Sequence, residues 1–289
     1  MSSVPGSTGL TIATSSMQDL RFGRQSMLRN LVTELIGVVL AMGHPAAPSA
    51  SSADGELIED LVAANRILAD QGVLDGFGHV SARHDKDPSR FLLARSMAPA
   101  LVTTADIMEF DLDGNPIDAR GRTAYLERFI HSEIYKANPE VRAIVHSHSP
   151  AVIPFGVAGV PLQPIFHLGG FLGAGVPLFE IRTAGGPATD MLIRNPELGG
   201  ALAMTLGSAP VALMRGHGDV VVGRSIREAV FRAIYTEVNA RLTSEALRLG
   251  GEKVVFLNEE EAKAAAETNS AQIGRPWELW KTKARVQPR

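Results

Sequence analysis

The sequence has 289 residues, 45% hydrophobic and 20% charged, with a net charge of −3, an ordinary composition for a globular protein. That near-neutral balance gives no electrostatic basis for binding nucleic acid or an anionic membrane surface. The chain has no cysteine, so disulfides, thiolate metal sites and cysteine nucleophiles are excluded, and any metal must be held by His, Asp or Glu, a donor set suited to Zn2+, Mn2+ or Fe2+.

Residues 1–53 differ from the rest: "MSSVPGSTGLTIATSS" and "GHPAAPSASSADG" are rich in small residues and Pro, and unsuited to a core. Between them, "RFGRQSMLRNLVTELIGVVLAMG" puts arginines ahead of a short apolar run, the layout of a secretory signal. Glu34 interrupts that run, which is also too short to span a membrane. The expectation is a disordered or helical extension over residues 1–53 of a cytoplasmic protein, with export through residues 17–53 as the alternative. One catalytic domain is expected over residues 54–289.

In "GELIEDLVAANRILADQG", Leu57, Leu61 and Leu68 recur at helical spacing and Gly72 supplies the stop. "GFGHVSARHD" and "FLLARSM" have strand character, and "IMEFDLDGNPI" carries a hairpin signal at Asp113-Gly114. "TAYLERFIHSEIYKANPE" predicts a second helix with Leu126, Phe129, Ile130 and Ile134 on its buried face, ended by Asn138-Pro139. "RAIVHSH" predicts a strand, and the stretch through "PIFHLGGFLGAGVP" is broken by Gly and Pro. "APVALMRGHGDVVVG" predicts strand, turn and strand, and Ser225 and Glu228 form a capping box at the start of a long helix. The elements alternate irregularly with hairpins. That order favours an α/β fold whose mixed or antiparallel sheet is flanked by helices.

Three features carry candidate chemistry. His146 and His148 are two apart on a strand and project to one face, either as metal ligands or as rim histidines with ordinary hydrogen bonds. His217 lies between two glycines at the end of an apolar strand, where backbone can approach closely, and a third imidazole would complete a catalytic-type metal site. Glu127 and His131 are one helical turn apart on the helix that leads into the His146 strand. Glu127 is then a ligand, a general acid/base, or a solvated carboxylate on an amphipathic helix.

Glu127, "NPEVRAIVHSH", the distant "GHG" and the upstream "GFGHVSAR" together resemble the class II aldolase/adducin family, over nearly all of residues 55–250. The resemblance implies an α-β-α three-layer fold with a mainly antiparallel sheet, and one divalent ion per subunit, Mn2+ or Zn2+, held by His146, His148 and His217. It further implies that Glu127 acts as acid/base, and a homotetramer with the site at a subunit interface. The "GGFLGAG" stretch lacks the GxGxxG order in a βαβ setting, so no organic cofactor is expected.

Sugar-phosphate aldolases of that family carry an Asn, a Thr-Gly turn and paired serines that hold phosphate. This sequence has His79, "ARSM" and Tyr125-Leu126 at those places. Arg83, Arg95 and Ser96 form instead a set suited to carboxylates, which guanidinium groups bind bidentately. "GFGHVSAR", "YLERFIHSEIY" and "PIFHLGGFLGAGVP" are similar to a branch of non-oxidative decarboxylases acting on hydroxylated aromatic dicarboxylates, the 3-hydroxy-2-methylpyridine-4,5-dicarboxylate and 3,4-dihydroxyphthalate decarboxylases. The expectation is a metal-dependent carboxy-lyase for such a small molecule, with Glu127 or His167 supplying the proton and His79, Arg83, Arg95 and Ser96 binding substrate. The alternatives are an aldolase, dehydratase or epimerase of a sugar phosphate, and a non-catalytic adducin-like module.

Overall fold

The computed structural model describes residues 53–286, and the expected extension falls outside the described residues up to residue 52. Helix α1 (Gly55–Asp70) is capped by Asp54, whose side chain accepts from the Glu56 amide, and it ends at Gln71, beside the predicted stop. Strands β1 (His79–Arg83), β2 (Arg90–Ala94) and β3 (Ile107–Asp111) follow, then α2 (Arg128–Ala137) and β4 (Ala143–Ser147). The Gly/Pro-rich stretch holds a short helix α3 (Phe155–Ala158), a 3-10 segment (His167–Ala174), β5 (Leu178–Phe179) and α4 (Ile181–Gly185). Helix α5 (Pro196–Leu206) precedes the hairpin β6 (Val211–Met214) and β7 (Gly218–Gly223). The long α6 (Ile226–Gly250) starts where expected, with the Ser225 side chain accepting from the Glu228 amide. Helices α7 (Glu259–Ser270) and α8 (Gly274–Val286) complete the chain.

The strands form one sheet in the order β3-β2-β1-β4-β7-β6-β5. Neighbours are antiparallel except β5 beside β6, so the sheet is mixed and mainly antiparallel, as expected. Alternation divides the strands between two cores. Val80, Ala82, Ala143, Val145 and Val221 pack with α1 and α6, and Trp277 and Trp280 of α8 close that layer. Phe91, Leu93, Phe110, Ile144 and Val220 pack on the other face, with Ile130 and Ile134 of α2 and Leu198 and Leu202 of α5. Each such side chain contributes about 1.5–3 kcal/mol when fully buried. The result is the predicted three-layer α-β-α arrangement. Among the described residues no helix is long and apolar enough to cross a membrane.

Two expectations fail near α2. The helix begins at Arg128, after Glu127, and Leu126 is 60% exposed rather than buried. The preceding segment is committed elsewhere: the Ser96 amide donates to the Thr123 carbonyl, and the Tyr125 hydroxyl to the Met97 carbonyl. Those bonds tie residues 123–125 to the loop after β2 and postpone the helix.

Candidate metal centre

The site forms where β1, β4 and the β6–β7 turn end side by side. Pairing of β1 with β4 sets His79 opposite His146, and pairing of β4 with β7 sets His146 opposite Val220 and Ser147 opposite Asp219. The β6–β7 turn brings His217 beside this end. Gly216 takes a φ of +62° there, and Gly218 permits an approach no side chain allows, since a Cβ would lie 1.9 Å from the Ser147 carbonyl oxygen.

Four ligand-type side chains converge: Glu127, His146, His148 and His217, with one candidate ligand atom from each within 4.8 Å of the others. His146 is fully buried, and its Nδ1 donates to the Asp219 carbonyl at 2.9 Å. His217 Nδ1 donates to the Met191 carbonyl, also at 2.9 Å. Main-chain carbonyls only accept, so both rings carry their proton on Nδ1 and present the Nε2 lone pair to the cluster. Met191 holds its carbonyl there with a φ of +75°, a conformation uncommon outside glycine.

Glu127 is anchored by one oxygen and free at the other. Oε1 accepts from the Ile193 amide at 2.9 Å, and Oε2 lies 3.6 Å from both His146 Nε2 and His217 Nε2. Burial alone would raise this carboxyl. The imidazoles of His146 and His217, 3.6 Å away, outweigh it when protonated and hold Glu127 well below the usual carboxylate range. Burial first, then the charges His146 and His217 carry when protonated, lower His148 to about 4, so its ring is neutral at pH 7.

This donor set fits a divalent cation. His146 Nε2 is buried without a hydrogen-bond partner, and His148 Nε2 lies 3.0 Å from His217 Nε2. Ligand atoms around a tetrahedral ion with bonds of about 2.0–2.1 Å stand roughly 3.3 Å apart. The separations of 3.0 and 3.6 Å bracket that value.

Behind the strand, Ser147 donates to the Asp219 carboxyl and Ser149 to Glu237, on the sheet face turned away from the imidazoles. Burial pushes the Asp219 carboxyl up to about 7. Asp219, Met191 and Ile193 escape sequence reasoning because they act through backbone atoms or across strand pairs. The "GHGD" order was visible, but only the β4–β7 register gives its Asp a task.

The other predicted residues separate. The His79 ring lies beside the cluster, with its centroid 5.1 Å from that of His146 and 4.6 Å from that of Tyr125. Ser96 sits in the loop tied to Thr123, next to Tyr125. Arg95 is 40% exposed in its side chain and bonds Asp106 through Nε at 2.6 Å, leaving its two terminal nitrogens without hydrogen-bond partners among the described residues. Arg83 is a correction. It lies at the far end of β1 from His79, buried, and donates to the carbonyls of Val141, Pro88, Tyr135 and Asn138. That guanidinium ties β1 to the end of α2 and has no edge left for a substrate. His167 opens the 3-10 segment as an exposed side chain, with its ring against Phe166. It makes no hydrogen bond or ring contact with the cluster of its own chain.

The family description "Class II Aldolase and Adducin N-terminal domain" matches residues 59–244. The chain belongs to the class II aldolase/adducin family. Among curated members, "Decarboxylase tropJ" of Talaromyces stipitatus is 38% identical over 77% of this chain and 92% of its own length. A "3,4-dihydroxyphthalate decarboxylase" of Arthrobacter keyseri is 33% identical over 67% of this chain and 79% of its own. Among solved class II aldolase structures, "L-fuculose 1-phosphate aldolase" of Glaciozyma antarctica matches with a TM-score of 0.66 at 25% identity, covering 82% of this chain and 94% of that one. Decarboxylases are carboxy-lyases, and the chain is a lyase of this family.

Proposed function

We propose that the protein is a divalent-metal-dependent, non-oxidative decarboxylase of a hydroxylated aromatic or pyridine dicarboxylate in aromatic catabolism. The observation that carries this reading is the backbone-fixed pair of Nε2 lone pairs on His146 and His217, converging with His148 and Glu127. Likeness to relatives named decarboxylases supports the choice of reaction.

His146, His148 and His217 would hold the ion, Mn2+ or Zn2+, and it would supply Lewis acidity for the negative charge that develops as the C–C bond breaks. Glu127 is anionic at rest, so any proton it delivers must first be acquired. The substrate's hydroxyl gives that proton to Oε2, and Glu127 then passes it to the ring carbon that bears the departing carboxylate. The C–C bond breaks, CO2 leaves, its bonding pair restores the aromatic ring, and the phenolate regains a proton from water. The free edge of Arg95 holds the second carboxylate and fixes the ring's orientation. His79, beside the cluster, and Ser96, in the loop after β2, are the further substrate-binding residues of this reading. His167, exposed and apart from its own chain's cluster, is assigned to the cluster of a neighbouring copy in a homotetramer.

Tyr125 argues against a sugar-phosphate substrate, since its hydroxyl is committed to the Met97 carbonyl where family aldolases offer a serine. The test is CO2 release from a panel of hydroxylated aromatic dicarboxylates, alongside cleavage of sugar phosphates. Release from the former supports the reading, and activity confined to the latter overturns it.

A further inference from the structure

Strand β1 is buried at every position, yet its face toward α2 is wholly polar: His79, Ser81 and Arg83. Four groups on that interface are linked beyond any need of the metal centre. His79 Nδ1 lies 2.6 Å from His131 Nε2, His131 Nδ1 lies 2.6 Å from the Ser81 hydroxyl, and that hydroxyl lies 2.8 Å from the Tyr135 hydroxyl. His131, Ser81 and Tyr135 are all at most 1% exposed.

Such a chain runs in one of two directions. In one, His79 donates to His131, His131 to Ser81 and Ser81 to Tyr135. The phenol proton is then stranded, because the Tyr135 hydroxyl has no other hydrogen-bond partner among the described residues. In the other, Tyr135 donates to Ser81, Ser81 to His131 Nδ1, and His131 Nε2–H to His79 Nδ1. The one unspent donor is then His79 Nε2–H, which points away from His131 at the end of β1 that adjoins His146. Only the second direction puts the unspent donor beside the metal centre, where a ligand can accept from it, instead of sealing it in at Tyr135. The chain stays uncharged in either direction, since burial lowers His131 to about 3 and raises the Tyr135 phenol.

We propose that Ser81 and His131 are positioning residues that fix the tautomer of His79, so that its Nε2–H stands beside the metal centre as a neutral donor to a carboxylate or phenolate oxygen of the substrate. The ligand's identity rests on the decarboxylase reading, whereas the tautomer does not.

The test is long-range 1H–15N NMR of the full-length chain carrying 15N-histidine and bound Zn2+, which is diamagnetic. The His79–His131 pair identifies itself by coupling across its N–H···N bond. Both rings are expected as Nε2–H tautomers, and Nδ1–H on His79 overturns the proposal. The same spectrum reports His146 and His217, expected as Nδ1–H. Failure there with His79 as stated would break the metal reading alone, and the reverse pattern would break the relay alone. Two variants separate positioning from packing. Tyr135→Phe keeps the Nε2–H tautomer, because Ser81 still has His131 as its only acceptor. Ser81→Ala loses the bias, gives a mixture, and lowers kcat/KM for the aromatic dicarboxylate by about 3- to 10-fold. A single unchanged tautomer in Ser81→Ala contradicts the relay, whatever the variant's thermal stability.

Discussion

His146 Nδ1 donates to the carbonyl of Asp219 at 2.9 Å, and that one bond turns the ring's other nitrogen into the cluster. The Asp219 carboxyl meanwhile accepts from Ser147 on the opposite face of the sheet. The residue between the two histidines thus locks β4 to β7, while the histidines themselves face the chemistry. Orientation of a ligand by such a partner is commonly worth about 10- to 100-fold in metal affinity.

The buried Asp219 carboxyl makes stability depend on pH. Its folded pKa, about 7, lies above the unfolded value of 3.8. The folded state therefore binds the extra proton between those values. The contribution is fully present below 3.8 and is lost as pH rises through about 7. Asp219→Asn keeps an acceptor for Ser147 without the charge. Denaturant unfolding across pH 4–8 is expected to give a wild-type curve that falls relative to the variant's, by on the order of 4 kcal/mol at most. Parallel curves would show that the carboxyl is not held neutral.

The two arginines of the expected carboxylate set part company. Arg95→Ala is expected to raise KM for a dicarboxylate by about 10- to 100-fold with little loss of stability, because it deletes a half-exposed, bidentate-capable edge. Arg83→Ala is expected to leave KM near wild type and to cost about 2–4 kcal/mol of stability, because it orphans the carbonyls of Tyr135, Asn138 and Val141 around the end of α2 and that of Pro88 between β1 and β2. Steady-state kinetics and urea unfolding on both variants check the pair.

Glu127→Gln preserves the side chain's shape and its bond from the Ile193 amide but removes the proton carrier. Bound metal is expected to stay, while CO2 release falls by about 100- to 10,000-fold. Near-normal turnover with metal retained would remove Glu127 from the proton path.

If His167 serves a neighbouring copy, two inactive variants can restore one another. His167→Ala and Glu127→Gln are each expected to be impaired, and a mixed assembly of the two to regain activity at sites that combine intact halves. No recovery from verified mixed assemblies would place His167 outside the reaction.

Much of this site was legible because its chemistry sits in short motifs. "HSH" on a strand and "GHG" at a turn announce candidate ligands, and the sheet register brings them to one end. What was hidden depends on pairing between elements. Alternating His79, Ser81 and Arg83 looks like a strand with one solvated face, yet α2 covers that face with His131 and Tyr135 and satisfies it internally. Arg83 was misplaced for a related reason. Sequence gives its residue type, whereas only the direction of β1 shows that it lies about 13 Å along the strand from His79. Leu126 fits a helical stripe, but the hydroxyl of Tyr125 is spent on the Met97 carbonyl and the helix starts later.

The most direct test of the central claim follows CO2 release from a hydroxylated aromatic dicarboxylate together with bound-metal content. The account predicts one Mn2+ or Zn2+ per chain, loss of CO2 release on chelation, and recovery when the ion is returned. It also predicts that His146→Gln neither binds the ion nor recovers. Undiminished CO2 release from the metal-free protein would contradict it.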